Sequence, residues 1–183
     1  YVFRTAAHAT MDNVSLARYL KSRDFDVPSF AGLNQDYAWG QDSWADFKGA
    51  MNQLYPDAEE KTALFPKFGA GQYGTEISAL LRERPTLVHS SNWGGDLQGF
   101  LIQATARNLH KRSQLVLAAG DHVIPQLQDK MPDGIFLGAR GVNGLAANAR
   151  GGELKELTDT MWTAYEAEFD TFPVQAPFRM WQA

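Results

Sequence analysis

Three short stretches of this chain combine aromatic rings with polar groups suited to recognition: Asp36-Tyr37-Ala38-Trp39, Ser91-Asn92-Trp93 and Gly120-Asp121-His122. An aromatic wall beside a carboxylate suits a small ligand bearing an ammonium group, through cation–π attraction and a charge-assisted hydrogen bond. Trp93 is the foremost candidate for a ligand platform. It follows the polar pair Ser91-Asn92 and precedes Gly94-Gly95, which free the backbone, and Asp96, which reads as a helix N-cap. Trp39 also admits a plainer reading, packing on Trp44 as a local cluster. The candidate binding residues are Trp93, Asp121, Trp39, Asn92, Tyr37, Ser91 and Gly120.

Other chemistries find less support. Gly69-Ala70-Gly71-Gln72-Tyr73-Gly74 matches G-x-G-x-x-G between a predicted strand and a predicted helix, which is the setting of a dinucleotide fingerprint. A dinucleotide-dependent oxidoreductase is therefore the alternative function. Against it, the next strand ends at Asn92, without the ribose-binding acid expected about 20 residues on, and a strand–helix unit already precedes this one. No G-x-S-x-G elbow, H-E-x-x-H helix or cysteine is present, so hydrolysis and thiolate chemistry lack their signatures. His8, His89, His110 and His122 show no ligand spacing, and His89 in an apolar run reads as a hydrogen-bonded core residue. His122 beside Asp121 could form an acid–base pair, although adjacent residues rarely point together. We expect no catalytic residue, no metal ligand and no cofactor.

The elements that must position these loops follow from periodicity. Apolar runs near 28–33, 60–66, 86–90, 114–118 and 135–139 predict strands. Between them, Trp44, Phe47, Met51 and Leu54, then Ile77, Leu80 and Leu81, then Leu97, Phe100, Leu101 and Ala104 recur at three and four, as helices do. A helix from about Met11 to Lys21 precedes the first strand. Pro66 weakens the second strand and suggests a sheet edge or an early exit. Val123 and Leu127 belong to a short helix that Pro125 interrupts, and Leu154 to Phe169 forms another, with Leu157, Met161, Ala164, Tyr165 and Phe169 inward. Strict strand–helix alternation predicts an α/β three-layer sandwich around a parallel, doubly wound sheet of about five strands.

At 183 residues the chain reads as a single α/β lobe over 1–183, with a mobile Gly- and Asn-rich loop at 141–152 and extended residues at Tyr1 to Thr5. The net charge of -4 argues against nucleic acid as a partner, and no run reaches the roughly 18 apolar residues of a membrane span. A start at Tyr1-Val2-Phe3 suggests processing or truncation.

These features together resemble the substrate-binding proteins of branched-chain amino acid ABC transporters, the leucine/isoleucine/valine-binding type. Asp36-Tyr37-Ala38-Trp39-Gly40 is similar to the family's loop after the first strand of its second lobe. Arg84 to Val88, the helix from Phe100 to Leu109 and the segment Trp162 to Ala183 are similar to later stretches in the same order. The resemblance implies one lobe of a bilobed clamp with the type I periplasmic binding fold, with 170–183 starting a return crossing toward a first lobe that this chain lacks. It implies capture of a small amino acid or related compound without catalysis, a membrane permease as partner, and a periplasmic or other extracytoplasmic bacterial location. A ligand sensor on the same fold is a further alternative. By position, Trp93 and Trp39 fall where the family places aromatics on its ligand, and Asp121 near the acid that receives the ligand's ammonium. Tryptophan in place of smaller rings implies a ligand that need not be leucine, isoleucine or valine.

Overall fold

The computed structural model describes residues 8–138 and 155–174. The chain divides into two compact units, and the sheet and its helices belong to His8–Gly138. In chain order this unit runs α1 (Ala9–Ser22), β1 (Ser29–Leu33), α2 (Ala38–Leu54), β2 (Glu59–Leu64), α3 (Gly74–Glu83), β3 (Leu87–Ser90), α4 (Gly94–Ala106), β4 (Gln114–Leu117), α5 (Ile124–Leu127) and β5 (Phe136–Leu137). All five strands are parallel, in the order β2-β1-β3-β4-β5. Each predicted strand is present, and β2 lies at the edge, as Pro66 implied. Backbone pairing continues past β2 to Pro66, whose carbonyl accepts the Asp36 N–H at 2.8 Å.

Alternate strand residues feed two separate cores, because side chains along a strand point to opposite faces. Phe30, Leu87, Val116 and Ala118 pack against α1 and α2 through Leu16, Leu20, Trp44, Phe47 and Met51. Ala31, Leu33, Val88, Leu115 and Leu117 pack against α3, α4 and α5 through Ile77, Leu80, Phe100, Leu101 and Leu127. With both faces covered, the central strands need few polar residues. His89 is the one ionisable residue in β1, β3 and β4: it faces α2, stacks on Phe47 at 4.2 Å and 16°, and pairs its Nε2 with Asn13 Oδ1 at 2.8 Å. Asn13 Nδ2 donates to Ala9 O, so Asn13 Oδ1 is the acceptor and His89 Nε2 carries the proton. Burial lowers the His89 pKa to about 3, and the ring is neutral.

Several expectations need correction. Helix α2 starts at Ala38, so Trp39 lies in its first turn and not in a loop. Pro125 starts α5 and does not interrupt it: proline is suited to a first helical turn, where its missing N–H has no intrahelical partner to lose. The second unit contains α6 (Lys155–Phe169). Its Met161 is buried, but Leu157, Ala164 and Phe169 are exposed, and its rings pair locally, Tyr165 with Phe169 at 4.6 Å and Trp162 with Phe172 at 6.2 Å. Tyr1 to Thr5, the loop at 141–152 and most of 170–183 lie outside the described residues.

Candidate functional site

In an open parallel sheet the binding crevice lies beyond the strand carboxyl ends, where neighbouring strands send their connections to opposite faces. The order β2-β1-β3 puts that point between β1 and β3, since α2 covers one face and α4 the other. The two strand ends are tied together there. Asn34 Oδ1 accepts the Ser91 N–H at 2.8 Å and the Ser91 hydroxyl at 2.7 Å. Trp39 Nε1 donates to the Ser91 carbonyl at 2.9 Å. Trp39 and Ser91, both foreseen, are thus joined, with the indole N–H acting as a strut between the two loops.

Above this join lies an aromatic ledge. Trp93 sits at the N-cap of α4 with 45% of its surface exposed, and Tyr37 sits at the N-cap of α2. Trp93 Nε1 donates to the Tyr37 hydroxyl at 2.7 Å. Phe68, 52% exposed on the β2–α3 loop, meets Tyr37 edge-on at 5.6 Å and Trp93 at 5.8 Å. Two large rings exposed side by side on a water-facing edge are unfavourable until something covers them. Phe68 was not among the predicted residues, and its signal was its place in the fourth strand-end loop, directly after the Pro66 exit.

The remaining candidates lie beneath or beside the ledge. Asn92 is fully buried, and neither atom of its side-chain amide has a protein partner. Gly120 is buried against Leu137, whose Cδ2 would stand 2.2 Å from an added Cβ and would have to shift to admit one. Asp121 is buried in a single-turn helix, Asp121–Val123. The link from this loop to Trp93 runs through the next residue: His122 Nε2 accepts the Gly94 N–H at 2.8 Å. Gly94 adopts φ +58°, a left-handed conformation open to glycine, which turns its N–H to that ring. Burial lowers the His122 pKa, and the Asp121 carboxylate offsets only part of this.

Asp96 is not the N-cap of α4; Trp93 holds that position. The Asp96 carboxylate reaches away from its own helix, and its Oδ2 accepts Gln35 Nε2 at 2.7 Å and the Gly69 N–H at 2.8 Å. Burial works to raise the Asp96 pKa, but the hydrogen bonds from Gly69 and Gln35 lead the opposing effects and hold it below the ordinary carboxylate value. Burial first, then the Asp96 carboxylate, push the Tyr73 phenol above its usual range. The Gly69–Gly74 turn is therefore poorly disposed toward a pyrophosphate. Its Gly69 and Tyr73 N–H groups already serve Asp96 and Gln103, and a carboxylate stands at the turn. Among the described residues no cluster of histidines and carboxylates could hold a metal ion, and no helix is long and apolar enough to cross a membrane.

A family model for periplasmic binding proteins matches residues 1–178. The chain belongs to the periplasmic binding protein family. Solved structures share its fold at low identity. An amino acid ABC transporter substrate-binding protein from Pseudomonas fluorescens Pf-5 aligns at a TM-score of 0.81 and 13% identity, over 97% of this chain and 45% of that one. A solute-binding protein from R. palustris in complex with benzoate gives 0.82 and 16%, over 99% and 47%. A leucine-, isoleucine-, valine-, threonine- and alanine-binding protein from Brucella ovis gives 0.74 and 15%, over 97% and 44%. The chain thus spans less than half the length of these structures. No curated protein matches it by sequence.

Proposed function

We propose that this chain is one lobe of the solute-binding component of an ABC importer. It captures a small amino acid or a related compound between two lobes, without catalysis, and delivers it to a membrane permease from a periplasmic or other extracytoplasmic location. The observation that carries this reading is the Tyr37–Phe68–Trp93 ledge: half-exposed rings at the switch point of the sheet, in a chain of the periplasmic binding family. Trp93 and Tyr37 supply the apolar face of the site, and Asp121 and Asn92 are its polar candidates. Asn92 brings a fully buried amide with unused hydrogen-bonding capacity. The similar structures include a leucine-, isoleucine-, valine-, threonine- and alanine-binding protein and a complex with benzoate, and leucine and benzoate are both small carboxylates with an apolar body that such a ledge could cover.

Two lobes closing on a ligand share its contacts and together exclude water, so one lobe alone should bind weakly. Calorimetry with L-leucine, L-phenylalanine and benzoate tests this on the full-length protein and on residues 1–183. We expect saturable heat with at least one probe, and affinity lower by about a hundredfold or more for the fragment. Equal affinity of the two would refute the clamp.

A further inference from the structure

The three rings of the ledge come from three different loops, and one oxygen atom joins those loops. Asp96 Oδ2 accepts from Gln35 Nε2 at 2.7 Å and from the Gly69 N–H at 2.8 Å. Gln35 lies two residues before Tyr37, Gly69 directly follows Phe68, and Asp96 lies three residues after Trp93. Asp96 is only 7% exposed, and Gln35 is buried with its Oε1 unpartnered, so its amide is oriented through Nε2 alone. Gly69 adopts φ +74°, which aims its N–H at the carboxylate.

We infer that Asp96 is the positioning residue that assembles the ledge, setting Phe68 against Trp93 and Tyr37. An ionised carboxylate accepts several donors at once and makes each bond stronger than a neutral acceptor would. Contacts between half-exposed rings are weak by comparison: the β2–α3 loop is held at Pro66 by Asp36 and at Gly71 and Tyr73 by Gln103, and between those ties the Gly69 bond fixes the segment that carries Phe68. An acid in the first turn of a helix commonly serves its own backbone amides. The two bonds of Asp96 run instead to other loops. The bearing of this role on ligand affinity rests on the proposal that the ledge is the ligand surface.

The test uses the full-length protein labelled with 5-fluorotryptophan, with the Trp93 resonance assigned through Trp93→Phe. Phe68→Ala records the shift that follows loss of the ring contact. Asp96→Ala should move the Trp93 resonance in the same direction and speed exchange of the Gly69 amide by about tenfold or more, with β3 and β4 amides unchanged. Asp96→Asn, which keeps an oxygen acceptor, should do both to a smaller extent and guards against an alanine variant that fails to fold. An unmoved resonance and unchanged Gly69 exchange would overturn the inference. So would equal acceleration of every amide, the mark of general destabilisation. For whichever of L-leucine, L-phenylalanine or benzoate the parent binds, affinity should fall about tenfold as preorganisation is lost. A moved resonance with unchanged affinity upholds the role of Asp96 and removes the ledge as the ligand surface.

Discussion

Two aromatic clusters lie within one strand of each other and face opposite fates. Trp44, Phe47 and His89 stack between α2 and β3, all buried, with centroids 4.2 to 6.3 Å apart. Tyr37, Phe68 and Trp93 pack at similar spacings at the carboxyl ends of the strands, yet Phe68 and Trp93 remain about half exposed. Ring–ring contact therefore does not distinguish core from surface here. Attachment does. The rings of the first cluster sit inside a helix and a strand, and those of the second sit at helix caps and on a loop, where the chain has already left the sheet. The first cluster is placed to contribute stability, and the second is the surface proposed for the ligand.

The largest expected effect is on the buried side. Phe47→Ala should lower unfolding free energy by about 3–5 kcal/mol, read from the urea midpoint. A loss below about 1 kcal/mol would break the contrast between the clusters. The Trp93→Ala change should do the reverse in the full-length protein, with ligand affinity down by about 1–3 kcal/mol and stability altered far less. Lost stability at unchanged affinity would make Trp93 a structural residue.

The smallest effect is a pH dependence of the buried cluster. The folded-state pKa of His89, about 3, lies below its ordinary 6.5, so the unfolded chain takes up the proton first as pH falls. The corresponding stability is complete above about 6.5 and is lost progressively down to about 3. Between pH 7 and 5.5 this amounts to about 1 kcal/mol. Urea unfolding of the parent and of His89→Gln at both pH values isolates this contribution from those of His110 and His122, whose pKa values are also lowered. Parallel pH profiles would show that His89 contributes nothing.

Much of the scaffold was legible because each element carries its own signal. Short apolar runs located β1, β3 and β4 within a residue or two, and recurrence at three and four located α2, α3 and α4. Pro66 announced the edge strand. The geometry of the candidate site was legible in part. Tyr37, Trp39, Ser91, Asn92 and Trp93 were visible as polar and aromatic residues at strand ends, and the structure brings Trp93 to Tyr37 and Trp39 to Ser91. The bonds of Asp96, Gly69 and His122 were not, since their partners come from other loops and no local pattern records a bond spanning 27 or 28 residues. The inward face expected for α6 fails at Leu157 and Phe169, which are exposed, while Tyr165 and Phe169 meet each other along the helix at a spacing of four.

The strand order also sets a timetable. β1 is flanked by β2 and β3, and Phe30 pairs with Leu87 across 57 positions of chain, the same interval as Ser29 to Thr86. At a synthesis rate of about 5–20 residues per second, β3 emerges roughly 3–11 s after β1. Until then β1 can pair with β2 but has an open edge on its other side, and Asn34 waits for Ser91. The join between β1 and β3 therefore comes into being after the edge strand is in place. A newborn chain halted before β3 would hold Tyr37 and Phe68 with no third ring to meet.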